Sequence, residues 1–391
     1  MSDQAAHLVD EVLPEVPIRQ WVCSLPWRLR YPLGYDRRLC ADVLGAFVTA
    51  LTRSLGWRAK HALGLASVRD ALTGAVTFVQ RADGALRLEP HFHTLALDGV
   101  YVRGEDGALC FEALPEPTQE EVAQVAAWTY QGLLRVLGRH GRSLEGLDDV
   151  ADTLCDAQPV LASCYGASVN DVQLLGQAPG HKTDKLVAPV RLLGSSDEPL
   201  AQVGTINLHA KTVIDGRDRK RLERLCRYIA RPPLAQERLE LRDDGQVCYR
   251  LKTPWKDGTS AVLLDPLDFM GRLCALVPPP RFHMIRYHGV LAGNAKARSE
   301  VVPKKEPAVG EQLSLLGEGQ PSSETRHSWA WLLARVFAVD VLTCPECQGA
   351  MRLVTVANTP EQAARVLGGG RLRRRSRAPP VTGQLELDLS A

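Results

Sequence analysis

The sequence predicts an α+β fold built on antiparallel strands with flanking helices, and two observations carry the prediction. Segments rich in β-formers come in pairs around short polar turns: 75–80 with 91–102 around Asp83-Gly84, and the two arms of 238–251 around Asp243-Asp244-Gly245. Pairs of this kind are hairpins, and hairpins are antiparallel. Between and around them run long stretches with apolar residues at helical spacing, above all 36–63 and 118–139, suited to covering a sheet from its sides.

The elements follow in order. Residues 2–13 have helical periodicity, and Ile18–Leu25 is a strand. Pro26 and Pro32 bracket a loop, after which Asp36 opens an amphipathic helix that runs to about Leu63. The hairpin of 75–80 and 91–102 comes next. Thr118 begins a helix to Arg139, with Glu121 at the capping-box spacing. A further helical stretch lies at 144–157, and 175–200 is rich in loop residues. Val203–His209 is a strand, and Arg217 to about Ala230 is a helix terminated by Pro232-Pro233. The second hairpin, a helix at Pro266–Leu276 and a strand at Arg281–Tyr287 complete this part. A polar Pro/Gly/Ser-rich linker follows at 299–326, then a helix at Ser328–Val339 leading into Cys344-Pro-Glu-Cys347. The tail from Gly368 has the composition of a disordered segment. No internal repeat and no phosphate-binding Gly-rich loop are present.

With 391 residues and 45% hydrophobic content, the chain can bury a core in two or three structural units. The net charge is only +2, so any nucleic-acid footprint must be local. No apolar run has the length of a membrane span and the N-terminus lacks a signal-peptide pattern, which predicts a cytoplasmic protein without a membrane partner. Most of the ten cysteines lie singly in apolar stretches and read as small core residues.

Two places suggest chemistry. His91-Phe92-His93 opens a predicted strand, so alternation puts both imidazoles on one face and Phe92 on the other. Two imidazoles at that spacing can hold a divalent cation. Gln80 at the end of the partner strand and Glu89 are candidates for a third ligand, with Asp98 ranked lower because it falls on the Phe92 side. Alone, a His-x-His pattern is more often plain strand decoration. The second place is the helix near residue 225. Leu222, Leu225, Cys226 and Ile229 form its apolar stripe, while Arg221, Arg224, Tyr228 and Arg231 share the other side. Eight Lys/Arg, among them Lys220 and Arg227, stand against three acids between Lys211 and Arg231. This is the local footprint hidden in the total charge. A phenol with a reference pKa of about 10 is a poor nucleophile, but a neighbouring cation and arginines would favour its ionised form. From this helix alone, a solvated basic face with a snorkelling tyrosine is as good a reading.

Together these residues carry a resemblance. His91-Phe-His-Thr-Leu-Ala-Leu-Asp-Gly-Val-Tyr101, Leu222-Glu-Arg-Leu-Cys-Arg-Tyr-Ile-Ala-Arg-Pro-Pro233, Arg286-Tyr-His-Gly-Val290 with Asn294-Ala-Lys296, and Cys344-Pro-Glu-Cys347 resemble rolling-circle transposases of the insertion-sequence-91 type, within the HUH endonuclease superfamily. The resemblance runs from residue 1 to about 357. It implies an antiparallel sheet bearing His91 and His93 as ligands of Mg²⁺ or Mn²⁺, and Tyr228 as nucleophile on a facing helix. It also implies nicking and rejoining of single-stranded DNA at transposon ends and target through a 5′-phosphotyrosine. Lys220, Arg221, Arg224, Arg227 and Arg231 would contact DNA. Many relatives carry two tyrosines four residues apart, whereas Arg224 occupies the earlier position here, which places the chain in a single-tyrosine branch. Relatives usually begin with a cysteine-rich zinc module; here Met1 leads directly into Ala5-Ala-His-Leu-Val-Asp10.

These readings divide the chain into a nuclease core at 1–235 with a helical insertion at about 104–200, an accessory α/β region at 236–298, the linker at 299–327, a helix with the CxxC segment at 328–367, and the tail at 368–391. Cys344 and Cys347 could supply half of a Zn²⁺ site, with His327 as a distant third ligand. The run Arg371–Arg377 is a solvated tail or a phosphate contact. The competing readings are a non-catalytic DNA-binding remnant and an unrelated metal hydrolase, and only a tyrosine nuclease predicts a covalent protein–DNA adduct.

Overall fold

The structure is a computed structural model that describes residues 2–146, 152–175, 178–187, 200–303, 329–337 and 340–351. It divides into two units, one from Asp3 to Lys305 and one from Glu306 to Ala391.

The first unit is α+β, with antiparallel sheets and flanking helices. Its main sheet contains β1 (Ile18–Ser24), β2 (Gly74–Ala82), β3 (Leu88–Leu97), and four strands farther along the chain considered below. β4 (Gly99–Arg103) and β5 (Leu109–Ala113) form a separate ribbon, and β6 (Asp184–Val187) belongs to a second sheet. β7 (Leu200–Val203) and β8 (Ile206–His209) form a hairpin at one edge of the main sheet, and β9 (Val213–Ile214) pairs with the start of β1. β10 (Leu239–Leu241), β11 (Val247–Arg250) and β12 (Thr259–Leu264) continue the second sheet, and β13 (Ile285–Gly289) returns to the main one. The main-sheet order is β13-β2-β3-β1-β8-β7, with every pairing antiparallel. β3 is therefore interior, with β2 and β1 on its two sides.

Both faces of this sheet are covered, and alternation decides what each receives. One face presents Cys23, Val79, Phe92, Ala96 and Leu208 to α3 (Arg37–Leu63) and α4 (Gln119–Arg139). The other presents Val76, Phe78, Leu95 and Leu97 to α1 (Ser2–Glu11) and to α7 (Arg219–Ile229). Asp36 caps α3 by accepting from the Arg38 and Leu39 amides, and Thr118 with Glu121 closes a capping box on α4. More than half of the apolar window of α3 is buried inside the protein. By length and composition that helix could cross a membrane, contrary to the expectation that no run was long enough. Here its apolar side is instead spent on the sheet.

The structure corrects other expectations. The loop expected between Pro26 and Pro32 is a short 3₁₀ turn (Trp27–Leu29) running into α2 (Arg30–Tyr35). Pro32 lies in the first turn of α2, where a missing amide hydrogen costs no helical bond. The single strand expected over 91–102 is two strands. At Gly99 a Cβ would overlap the Glu112 carbonyl, so the chain leaves the sheet there to pair with β5. Buried Asp98 marks the break, gripped by the Arg19 guanidinium at 2.8 and 2.9 Å.

Of the helical stretch expected at 144–157, residues 147–151 lie outside the described residues and Thr153–Ala157 forms α5; α6 (Pro159–Asn170) is a helix the sequence reading did not contain. The stretch around 104–200 contains β5 and β6 besides helices. β12 also went unread, whereas α8 (Pro266–Leu276) falls where expected. The strand expected at 281–287 begins later, because Arg281 follows three prolines and adopts a positive φ of 61°. It ends at Gly289, where positive φ and contact with the Thr73 carbonyl leave no room for a side chain. Five cysteines are buried as expected, but Cys110, Cys155 and Cys274 are exposed.

Arg298–Val301 forms a one-turn helix, α9, at the start of the expected linker. In the second unit, α10 (Trp329–Phe337) precedes the CxxC segment. The rest of the linker beyond residue 303, His327, Arg371–Arg377 and the tail lie outside the described residues.

Candidate functional site

His91 and His93 point from β3 to the face shared with α7, their ring centroids 5.0 Å apart. The strand register aligns two rows across that face. One contains Gln80, His91, Ser24 and Asn207; the other contains Phe78, His93, Val22 and His209. The first row is polar on all four strands. It lies toward the start of β3, where His91 is half-buried; His93, one row in, is buried.

The two rings are held differently. His91 Nδ1 lies 2.7 Å from the Glu89 carbonyl; donation there leaves the Nε2 lone pair outward, the tautomer of a metal-binding imidazole. His93 Nδ1 meets the Gln20 side-chain amide at 2.9 Å. With that amide nitrogen donating, the ring proton sits on Nε2. A half-turn of the amide lets Nδ1–H donate to Oε1 instead and frees Nε2. Burial, reinforced by neighbouring His91, lowers the His93 pKa to about 3. His93 is thus a neutral ring throughout the physiological range, the form that can ligate.

That shift and a second one yield an expected result. Burial, then Arg286, lowers the His288 pKa to about 4. Both folded values lie below the unfolded value near 6.5. Below pH 6.5 the unfolded chain takes up protons that the fold refuses, so stability falls as pH drops toward 4. The slope is about 1.4 kcal/mol per pH unit for each ring. Urea unfolding between pH 7 and 4.5 checks this. His288→Gln should flatten the slope, and a midpoint unchanged with pH would contradict it.

The third-ligand candidates separate cleanly. Glu89 pairs with Arg30, and Asp98 is held by Arg19. Among the described residues no group of three or more His, Cys, Asp or Glu could hold a metal ion. Gln80 remains beside His91, but its amide nitrogen donates to the Ile229 carbonyl at 2.7 Å, leaving only Oε1 for a cation.

That hydrogen bond fixes the tyrosine helix. Ile229 is the last residue of α7, and its carbonyl is one that the helix itself leaves unsatisfied. An isolated helix of 11 residues would be marginal. Full burial of Leu222 and Ile229 contributes about 1.5–3 kcal/mol each toward docking it. The apolar stripe is as expected, except that Leu225 is only partly buried and Glu223 joins the buried side. Tyr228, next to the pinned carbonyl, is 49% exposed. Lys220, Arg221, Arg224 and Arg231 are exposed around it, while half-buried Arg227 leans toward Glu223 at 4.0 Å.

Lys252 was not legible in the sequence. Its ammonium lies 4.6 Å from the centre of the Tyr228 ring. The route to it is structural. The Tyr249 hydroxyl donates to the Pro233 carbonyl and accepts from the Ala235 amide, tying the exit of α7 to β11. The chain leaving β11 then passes over Tyr228. Tyr249 itself is fully buried, and burial raises its pKa, so it offers no nucleophile. Tyr287 is half-buried on the α1 side beneath Arg298, and burial raises its pKa too. His288 faces away from the paired histidines and contacts Thr77 at 3.1 Å.

In the second unit, Cys344 and Cys347 form a tight turn in which the Cys344 amide donates to the Gly349 carbonyl. The Cys347 and Glu346 backbone amides and then the Cys347 thiol pull the Cys344 pKa down. That suits a thiolate, but the two sulfurs are half of a closed zinc site.

The first unit is thus an α+β protein that lays a basic, tyrosine-bearing helix beside paired imidazoles on an antiparallel sheet. Residues 74–299 match the family model described as "Putative transposase", and the chain belongs to that transposase family. Transposition is its class of activity and DNA its substrate. The match runs from the first residue of β2 into α9 and contains His91, His93, Tyr228 and Lys252; central strand β1 precedes it. No curated protein and no solved structure matches the chain.

Proposed function

We propose that the protein nicks and rejoins single-stranded DNA through Tyr228, as a rolling-circle, single-tyrosine transposase of the HUH type. The observation that carries this reading is the Gln80–Ile229 hydrogen bond, which ties the backbone next to Tyr228 to the row containing His91. The phenol oxygen of Tyr228 attacks the scissile phosphorus. A P–O bond to Tyr228 forms, the bond to the 3′-oxygen breaks, the phenol proton is released, and the 3′-oxygen leaves as a hydroxyl. The product is a 5′-phosphotyrosine. One phosphodiester is exchanged for another, so rejoining is the reverse step and needs no nucleoside triphosphate.

His91 and His93 would hold Mg²⁺ or Mn²⁺, with Gln80 Oε1 as a third donor. Bound there, the cation would polarise a non-bridging phosphate oxygen. Lys220, Arg221, Arg224, Arg227 and Arg231 would draw the backbone phosphates. Cys344 and Cys347 would hold Zn²⁺ only with ligands from elsewhere. Acting on bacterial DNA, the protein would work in the cytoplasm at the nucleoid. The test is denaturing electrophoresis of the full chain with labelled single-stranded oligonucleotides from element ends. A denaturant-resistant adduct in Mg²⁺ or Mn²⁺, lost in EDTA, is expected; no adduct in either metal would refute the proposal.

Lys252 has an expected role of its own. An ammonium beside the ring would steady the negative charge that builds up on the attacked phosphate, worth about 1 kcal/mol. Lys252→Met should therefore slow adduct formation about fivefold, whereas Lys252→Arg should restore most of the rate. An unchanged rate for Lys252→Met would remove it from the reaction.

A further inference from the structure

A second surface has the chemistry of a nucleotide-binding groove. Beyond Ser24, the chain turns through Trp27 into α2, and there Trp27, Arg28, Tyr31 and Tyr35 line a cleft of about 520 Å³ with Arg142 and Asp152. Trp27 is 52% exposed, an unusual placement for the largest apolar side chain. Its indole N–H is not idle, since it donates to the Val169 carbonyl at 3.4 Å. Tyr31 stands edge-on to Tyr35 at 5.4 Å, and its hydroxyl donates to Asp152 at 2.5 Å. The rings are therefore held by their polar tips. A rigid, half-open aromatic surface suits stacking, because it loses little freedom when a flat partner arrives.

Two guanidinium groups stand beside these rings. Arg28 donates to the Leu144 and Glu145 carbonyls, and among the described residues no carboxylate is paired with it. Arg142 reaches Asp36 only at 4.0 Å. Asp152, an acid lining the cleft, accepts from the Tyr31 hydroxyl. An aromatic platform flanked by guanidinium groups is complementary to a base and its phosphate. Duplex DNA keeps its base faces stacked inside, so the partner that fits is an unpaired nucleotide.

We infer that this groove binds an unpaired nucleotide of the DNA substrate, with its base on Trp27 and its phosphate on Arg28 and Arg142. The inference rests on the family's DNA substrate but not on Tyr228 as nucleophile. Ser24, in the His91 row, is three residues before Trp27, so a strand lying along that row can continue into the groove.

The experiment measures equilibrium binding of the full chain by fluorescence anisotropy in EDTA, where no cleavage chemistry contributes. The probes are a labelled 20-nucleotide oligothymidylate and a 20-base-pair duplex. Trp27→Ala should weaken the single-stranded probe about tenfold and the duplex less than twofold, with Trp27→Phe recovering most of the loss. Arg28→Gln with Arg142→Gln should lower the salt dependence of single-strand binding by about one ion released. If Trp27→Ala proves misfolded by circular dichroism, the arginine pair decides the matter. Equal loss on both probes, single-strand affinity of folded Trp27→Ala within twofold of wild type, or an unchanged salt dependence in the arginine pair would overturn the groove. Failure of the tyrosine chemistry would appear only in the adduct assay and would leave these affinities unchanged.

Discussion

Tyr228→Phe is expected to eliminate covalent protein–DNA adducts, by more than a hundredfold, while changing single-strand affinity less than twofold. The argument starts from what the substitution leaves in place. Phenylalanine keeps the ring, so the contact with Lys252 and the docking of α7 through Leu222, Cys226 and Ile229 persist. The exposed Lys220, Arg221, Arg224 and Arg231 continue to attract phosphate. Only the oxygen that would bond to phosphorus is removed. Arg224 cannot replace it, because a guanidinium stays protonated and has no lone pair to offer. Tyr249 is buried, and Tyr287 is half-buried against α1, where burial raises its pKa. Water could still attack weakly, giving cleavage without an adduct. The measurement is denaturing electrophoresis of labelled oligonucleotide with wild type and variant; an adduct of normal yield from the variant would place the nucleophile elsewhere.

The second large effect is expected from replacing His91 and His93 together by alanine. Stabilisation of a phosphate by a bound cation is worth several kcal/mol, so nicking should fall by about a hundred- to a thousandfold. Folding should change little. His91 is only half-buried, and removing His93 leaves the Gln20 amide to one water rather than opening an apolar void. Binding in EDTA should stay near wild type, since the basic face of α7 is untouched. The readouts are the nicking rate in Mg²⁺, the thermal midpoint and anisotropy, taken on the same preparation. Full nicking by the double variant would dismiss the pair as ligands. A collapsed midpoint would show that their first duty is to the fold.

The sequence exposed the parts of this arrangement that are local. Alternation alone put His91 and His93 together, and helical periodicity alone put Tyr228 opposite Leu222 and Ile229. Capping chemistry located the starts of α3 and α4 because Asp36 and Thr118 act within a turn of themselves. What escaped depends on contacts between distant segments. Gln20 is an ordinary polar strand residue until β1 is known to lie beside β3. Lys252 lies in a loop that the Tyr249 contacts with Pro233 and Ala235 bring to Tyr228. The division of 91–102 into β3 and β4 was hidden because Gly99 and Asp98 are explained by Glu112 and Arg19, partners far away in the chain. Gln80 was singled out for its place opposite His91, yet its nitrogen is bound to the end of α7, a neighbour that periodicity does not reveal.

The outer position of β13 has a bearing on how such a gene decays. Every residue proposed for the chemistry in the first unit precedes Trp255, but the main sheet is not finished until Gly289 pairs with Gly74. A copy interrupted between those points would encode the whole reactive constellation and still leave the flank of β2 bare. Val76 and Phe78 would lose their cover from Ile285 and Tyr287, and a row of unsatisfied amides and carbonyls would be open to other chains. Such a remnant should be lost to aggregation or proteolysis before its nuclease residues are ever tried. Truncated copies would then be silenced through failed assembly of the sheet, and a copy that persists as a harmless DNA binder would have to retain the chain through Leu291.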